Sequence, residues 1–236
     1  NKRGSYMAKV RAVIFDLDDT LIKSKINYEE MKNTIIEFLE NAGVTPGLLK
    51  KNMLNFEIIS MAKKDLSGKI RQNDIEKIFS KVNDIMNEFE MESLGNAELM
   101  DDALSTLGRL KDLGFKVGIV TNGCREYAKG IMEKFRLGKY VDAIVARDDV
   151  LNPKPNPEHL LRILEILNVP VEEAIFIGDH LIDALCAKRV GIPFILLRNK
   201  IGIFRESEKM SYATIDSLRE ILLLIQGAKE ETRNNY

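Results

Sequence analysis

Val10-Arg11-Ala12-Val13-Ile14-Phe15-Asp16-Leu17-Asp18-Asp19-Thr20 is the stretch on which the reading of the whole chain turns. Val13, Ile14 and Phe15 form a continuous β-prone run. Strands with one face in water alternate apolar and polar residues, whereas an unbroken apolar run suits a strand covered on both faces. This stretch therefore reads as a central parallel strand, and it ends in carboxylates. Ligand sites in open parallel sheets lie beyond the carboxyl ends of the strands, so an acidic strand end is the place to look for chemistry.

Working outward, the same pattern recurs four times, in Val117-Gly118-Ile119-Val120, Ala143-Ile144-Val145, Ala174-Ile175-Phe176-Ile177 and Phe194-Ile195-Leu196-Leu197. Helical patterns separate these runs at Ala103 to Leu113, Glu126 to Phe135, Glu158 to Leu167 and Ile182 to Ala187. Strands alternating with helices favour right-handed crossovers and a parallel sheet covered on both sides, so the expected fold is α/β, a doubly wound, Rossmann-like parallel sheet. One stretch breaks the alternation. Between about Asn27 and Leu94 no run reads as a strand, while apolar residues recur at helical spacing in Tyr28, Met31, Ile35, Phe38, Leu39 and Ala42, and again in Ile75, Ile78, Phe79, Val82, Ile85, Met86 and Phe89. Asn27, three residues before Glu30, resembles a capping box, and Gly43 can close the helix it starts. An all-helical insertion directly after the first strand is expected, with the core in 7–23 and 96–236 and the insertion in 24–95. Met53, Met61, Met86 and Met91 read as packing among its helices. Residues 1–6 read as a tag or loose tail, and Lys229 to Tyr236 as a frayed end.

Composition narrows the partners. Among 236 residues, 35 Lys and Arg face 36 Asp and Glu, a formal net charge of -1 that leaves no overall field to hold a nucleic acid or an anionic membrane. No apolar run approaches the roughly 20 residues needed to cross a bilayer. Two cysteines, Cys124 and Cys186, cannot build a disulfide framework, and no leader pattern opens the chain, so a cytoplasmic setting is expected. The sequence leaves monomer and homodimer equally open.

Read together, the strand ends supply Asp16, Asp18, Asp19 and Thr20 from the first, Thr121-Asn122-Gly123 from the second, and Gly178-Asp179-His180 from the fourth, with Asp183 one turn further on. Lys154 lies in a proline-rich loop after the third. Carboxylates crowded into one crevice resist ionising together unless a cation sits among them, and an all-oxygen set points to Mg²⁺. Lys154, Thr121 and Asn122, with the backbone N–H groups of the 121–123 turn, suit the oxygens of a phosphate. Together these parts describe a phosphoryl-transfer site.

The set, in this order, resembles the haloacid dehalogenase superfamily. Asp16-x-Asp18-x-Thr20 matches its first motif, Thr121 the second, Lys154 the third, and Gly178-Asp179 with Asp183 the fourth. The resemblance implies a Mg²⁺-dependent phosphatase with an α-helical cap that closes over a small phosphorylated metabolite. It further implies Asp16 as nucleophile forming an aspartyl-phosphate and Asp18 as general acid and base. Asp16, the backbone carbonyl of Asp18, and Asp179 would bind the metal. Asp183 would assist directly or through a bound water, and Thr20 and Gly123 would support the site. Asp18 sets the chain apart from the true dehalogenases, which lack it. Many members have Gly where this chain has Asp19.

Plainer readings stand beside these. Thr20 suits a turn-pinning role, Asp19 a solvated loop and His159 a structural one, while His180 is not needed at a carboxylate-rich Mg²⁺ site. Cys124 and Cys186 read as small buried apolar residues. Lys63, Lys64, Lys69 and Arg71 read as a solvated face. Gly118-x-x-x-x-Gly123 is followed by Cys124 rather than the Lys of a P-loop. Competing functions are a sugar phosphomutase of the same superfamily, a non-catalytic phospholigand-binding protein, and a phosphonatase that would need a cap lysine.

Overall fold

The structure is a computed structural model that describes residues 6–198 and 205–233, with side chains to 226. Residues 1–5 of the expected tail and 234–236 of the expected frayed end lie outside the described residues. The chain divides into two compact units, Lys25–Asn96 and the remainder.

In chain order the strands are β1 (Ala12–Phe15), β2 (Ile22–Lys23), β3 (Glu98–Leu99), β4 (Lys116–Val120), β5 (Ala143–Val145), β6 (Ala174–Gly178), β7 (Phe194–Leu197) and β8 (Ala213–Ile215). The helices are α1 (Tyr28–Asn41), α2 (Asn55–Ser67), α3 (Gln72–Ser93), α4 (Ala103–Asp112), α5 (Arg125–Lys134), α6 (Glu158–Leu167), α7 (Leu181–Val190), α8 (Arg205–Met210) and α9 (Glu220–Arg233).

Six strands form one sheet in the order β5-β4-β1-β6-β7-β8, every neighbouring pair parallel. The five expected strands are β1 and β4 to β7. Strand β8 is an addition at the edge, too short and too exposed in Ala213 and Thr214 to register as an apolar run. From β1 the chain moves outward to β4 and β5, then returns to the other side of β1 for β6, β7 and β8. Such an order creates a crevice between β1 and β6, at the point where the winding reverses. All four residues of β1 are fully buried, as a strand covered on both faces requires. On one face, Ala12, Ile14, Val120, Phe176, Phe194 and Leu196 join Leu160, Ile163 and Leu164 of α6 and Ala184 and Ala187 of α7 in a single apolar cluster. Burying each large side chain of this kind contributes about 1.5–3 kcal/mol.

Two expectations at the ends need correction. Tyr6 is not part of a loose tail: its hydroxyl donates to the Val171 carbonyl at 2.7 Å, anchoring the chain before β1. Lys229–Arg233 are not frayed but continue helix α9.

The Lys25–Asn96 unit has its own core, in which Met31, Ile35 and Leu39 of α1 meet Ile58, Ala62 and Leu66 of α2 and Ile75, Phe79, Val82 and Met86 of α3. Met53 and Met61 pack against it, as ordinary fillers do. Asn27 caps α1, its Oδ1 accepting the Glu30 N–H at 3.2 Å while its amide donates to the Glu30 carboxylate at 2.7 Å. Gly43 follows the helix at a φ of 110°, a conformation that costs a residue with a Cβ. Three of the basic residues expected on a solvated face have local partners: Lys69 meets Asp65 at 2.7 Å, Arg71 meets Asp74 at 3.2 Å, and the Lys63 ammonium lies 5.0 Å from the Phe79 ring centre. Among the described residues no helix is long and apolar enough to cross a membrane.

Candidate active site

Register brings the site together. Phe15 stands opposite Ile119 of β4 and Ile177 of β6, so the carboxyl ends of the three strands lie close together, with Thr121 and Asp179 one residue further along their strands than Asp16. The Asp16 N–H donates to the Ile177 carbonyl at 2.8 Å, continuing the ladder one residue beyond β1 and fixing where the side chain starts.

The Lys154 ammonium is the hub. It lies 2.6 Å from Asp16 Oδ1, 2.7 Å from Asp183 Oδ1 and 3.3 Å from the Val120 carbonyl, and it is 3% exposed. A buried ammonium needs such partners, because an unpaired charge out of water is very costly. Its loop is braced from two sides. The Lys154 N–H donates to His159 Nδ1 at 3.1 Å, and the Lys154 carbonyl accepts from the Asn122 amide at 2.8 Å. With Nδ1 accepting, His159 Nε2 carries the proton and donates to the Ala146 carbonyl at 3.0 Å. Burial, with the nearby Lys154 charge, pushes His159 down to about 4 and keeps the ring neutral.

Asp183, on the first turn of α7, folds back to accept the His180 N–H at 3.1 Å. A Cβ at position 178 would sit 2.7 Å from the Asp183 Cγ, so glycine at the end of β6 is what admits this carboxylate. The Thr20 hydroxyl lies 3.4 Å from both Asp16 Oδ2 and Asp179 Oδ1, spanning the two strand ends. Asp18 faces a different set: the Thr121 hydroxyl donates to its Oδ2 at 3.1 Å and the Tyr127 hydroxyl to its Oδ1 at 2.8 Å. Thr121 in turn accepts the Gly123 N–H at 2.9 Å.

The electrostatics follow from crowding. Burial first, then the Asp183 charge, push Asp16 well above the ordinary carboxylate range, with Lys154 opposing and Asp179 and Asp18 adding to the rise. Burial alone would lower Lys154, but Asp16 and Asp183 outweigh it and hold the ammonium above its usual value. Carboxylate oxygens of Asp16, Asp179 and Asp183 all lie within 4.8 Å of one another. Three hard oxygen donors at this separation fit a small divalent cation such as Mg²⁺ better than a soft metal, which prefers sulfur or imidazole.

Residues 13–197 match the family of haloacid dehalogenase-like hydrolases. The chain belongs to this family. It is 28% identical over 220 residues to a pyrophosphatase, PpaX, of Bacillus anthracis, covering 92% of this chain and 97% of that one. It is 26% identical over 224 residues to phosphoglycolate phosphatase 1 of Pseudomonas aeruginosa, covering 93% and 81%. In structure it resembles a subfamily IA hydrolase of the superfamily from Geobacter sulfurreducens, with a TM-score of 0.59 at 22% identity over 92% of this chain and 97% of that one. The chain is therefore an enzyme, a haloacid dehalogenase-like hydrolase.

Within this hydrolase, the residues singled out from the sequence take different places. Asp16, Asp179, Asp183, Lys154 and Thr20 converge directly. Asp18 and Thr121 adjoin them as a hydrogen-bonded pair, with the Asp18 carboxylate engaged by hydroxyls rather than grouped with the three acidic side chains. The Asn122 amide is turned to the Lys154 carbonyl and braces the lysine loop. Gly123 serves through its N–H and through its lack of a side chain. His180 accepts the Ile182 N–H at 3.2 Å and caps α7. Asp19 takes a φ of 58°, which accounts for the fit of glycine at this position. Both cysteines are buried, and burial pushes the Cys186 thiol up to about 12. Sequence reasoning missed Tyr127, whose helical spacing marked nothing but an inward face.

Proposed function

We propose that the chain is a Mg²⁺-dependent phosphatase that hydrolyses a small phosphorylated metabolite through an aspartyl-phosphate on Asp16. One observation carries this reading: the Asp16 carboxylate stands at the end of β1 beside the Lys154 ammonium and grouped with the carboxylates of Asp179 and Asp183, with a second, separately held carboxyl, Asp18, two residues on. Asp16 supplies the oxygen that attacks phosphorus. As the ester P–O bond breaks, Asp18 protonates the departing oxygen, and in the second step it takes a proton from the water that cleaves the aspartyl-phosphate. Lys154 and the Thr121 hydroxyl hold the phosphoryl oxygens, where charge stabilisation contributes most of phosphoryl-transfer catalysis. Asp16, Asp179 and the Asp18 carbonyl would hold Mg²⁺, with Asp183 beside them. Bound there, the cation supplies charge neutralisation for the transferring group. Relatives named pyrophosphatase and phosphoglycolate phosphatase support a small anionic substrate.

The test is release of inorganic phosphate from a panel of phosphorylated metabolites, with and without Mg²⁺. Phosphate release that needs Mg²⁺ and disappears in a folded Asp16→Asn variant is the expected result. Wild-type turnover by Asp16→Asn overturns the assignment of nucleophile, and isomerisation of a sugar phosphate without net phosphate release assigns the site to a mutase instead.

A further inference from the structure

From the contacts of Asp18 we infer that Tyr127 is a positioning residue: its hydroxyl holds one oxygen of the Asp18 carboxyl so that the other faces the leaving group. The inference rests on the proposed role of Asp18 as general acid. Tyr127 is fully buried on α5 and reaches across to Asp18, 109 residues away in sequence, to donate to Oδ1 at 2.8 Å. A tyrosine ring turns about only two side-chain torsions, so a buried one places its hydroxyl with little freedom. The chain around it is shaped to admit the ring. A Cβ at position 123 would lie 2.9 Å from Tyr127 Cδ1, so glycine there makes room for the tyrosine as well as donating to Thr121.

The two hydroxyls at Asp18 have different futures. Thr121 donates to Oδ2, yet the proposed chemistry asks its hydroxyl to turn to the phosphoryl group. When it does, Oδ2 is released to carry the proton to the departing oxygen, and Tyr127 keeps Oδ1 in place. The proton passes from Asp18 Oδ2 to the ester oxygen as the P–O bond breaks and the Asp16–phosphorus bond forms. Tyr127 loses no proton in the step.

This division of labour has a signature in the leaving group. An alkyl phosphate expels an alkoxide that needs the proton, whereas p-nitrophenyl phosphate expels a stable phenolate that does not. The experiment compares kcat/KM for glycerol phosphate and p-nitrophenyl phosphate in the full chain with Mg²⁺, for wild type, Tyr127→Phe and Asp18→Asn. Since a positioned general acid contributes roughly 10²–10⁴-fold, and kcat/KM reports events up to departure of the leaving group, Tyr127→Phe is expected to lose about tenfold or more in kcat/KM on glycerol phosphate and less than about threefold on p-nitrophenyl phosphate. Equal losses on the two esters, or wild-type values on both while Asp18→Asn is impaired on glycerol phosphate, overturn the positioning role and leave the role of Asp18 intact. Full activity of Asp18→Asn on glycerol phosphate overturns the role of Asp18 itself, and the inference with it. Should Tyr127→Phe fail to fold, Tyr127→Met removes the same hydroxyl and is expected to give the same ester-selective loss. Damage confined to Thr121 would depress both esters alike.

Discussion

His159 shows how a single buried residue ties the site to pH. Its two ring nitrogens join the Lys154 loop to the end of β5, a geometry available only to the neutral ring. Held at about 4 in the folded chain, against an ordinary value of 6.5, it stays unprotonated where the unfolded chain already binds a proton. The native state therefore has its full advantage from this group above pH 6.5 and loses it as pH falls from there toward 4, a total of roughly 3 kcal/mol. Replacing His159 with Leu is expected to flatten that part of the stability–pH curve. The same change leaves the Lys154 N–H without its partner, at a cost of about 1–3 kcal/mol, while the Ala146 carbonyl keeps the Asp149 N–H at 3.1 Å. Urea melts at pH 7 and pH 4.5 check both effects: the wild type should lose more stability between the two than His159→Leu, which starts lower.

At the scale of elements, the ends of helices and strands do most of the specifying. Helix α1 starts at Asn27 because the side chain satisfies an N–H that has no partner within the helix. Asn27→Ala should destabilise the Lys25–Asn96 unit by about 1 kcal/mol, read as a lower urea midpoint of its helical signal. Helix α7 begins at His180, whose ring accepts the Ile182 N–H, while the Asp183 carboxylate accepts the His180 N–H and also meets Lys154. Strands β2 and β3 have only two residues each, paired antiparallel through Ile22 with Leu99 and Lys23 with Glu98. Runs so short carry no alternation, and neither was expected from the sequence. Their pairing nevertheless brings the two ends of the sheet-containing unit together where the helical unit is inserted.

That clamp makes a prediction for the whole molecule. Because Ser24 and Ala97 follow and precede paired strands, excising Lys25–Asn96 and joining the ends with a short Gly/Ser turn asks little of the sheet. The excised protein is expected to melt cooperatively and keep its parallel-sheet circular dichroism. An unfolded product would mean that the six-stranded unit needs the insertion to fold. The helical unit, with a core of its own from Met31 to Met86, owes its stability to contacts between its own helices.

What the sequence by itself determined is local. Continuous apolar runs marked five strands because a strand covered on both faces admits no polar side chain, and helical spacing marked the insertion because each helix must bury one stripe. The acidic strand ends were legible for a related reason: in a parallel sheet, residues that follow buried strands gather on one side, so the strand pattern alone places Asp16, Thr121 and Asp179 together. The tertiary structure decided how these groups pair. That Lys154 bridges Asp16 and Asp183, that Asn122 braces the lysine loop, and that Tyr127 reaches Asp18 all depend on side chains brought together from separate strands, loops and helices. Periodicity reports which face a residue turns inward. It holds no record of the partner met there, since that partner is set by the packing of whole elements against one another.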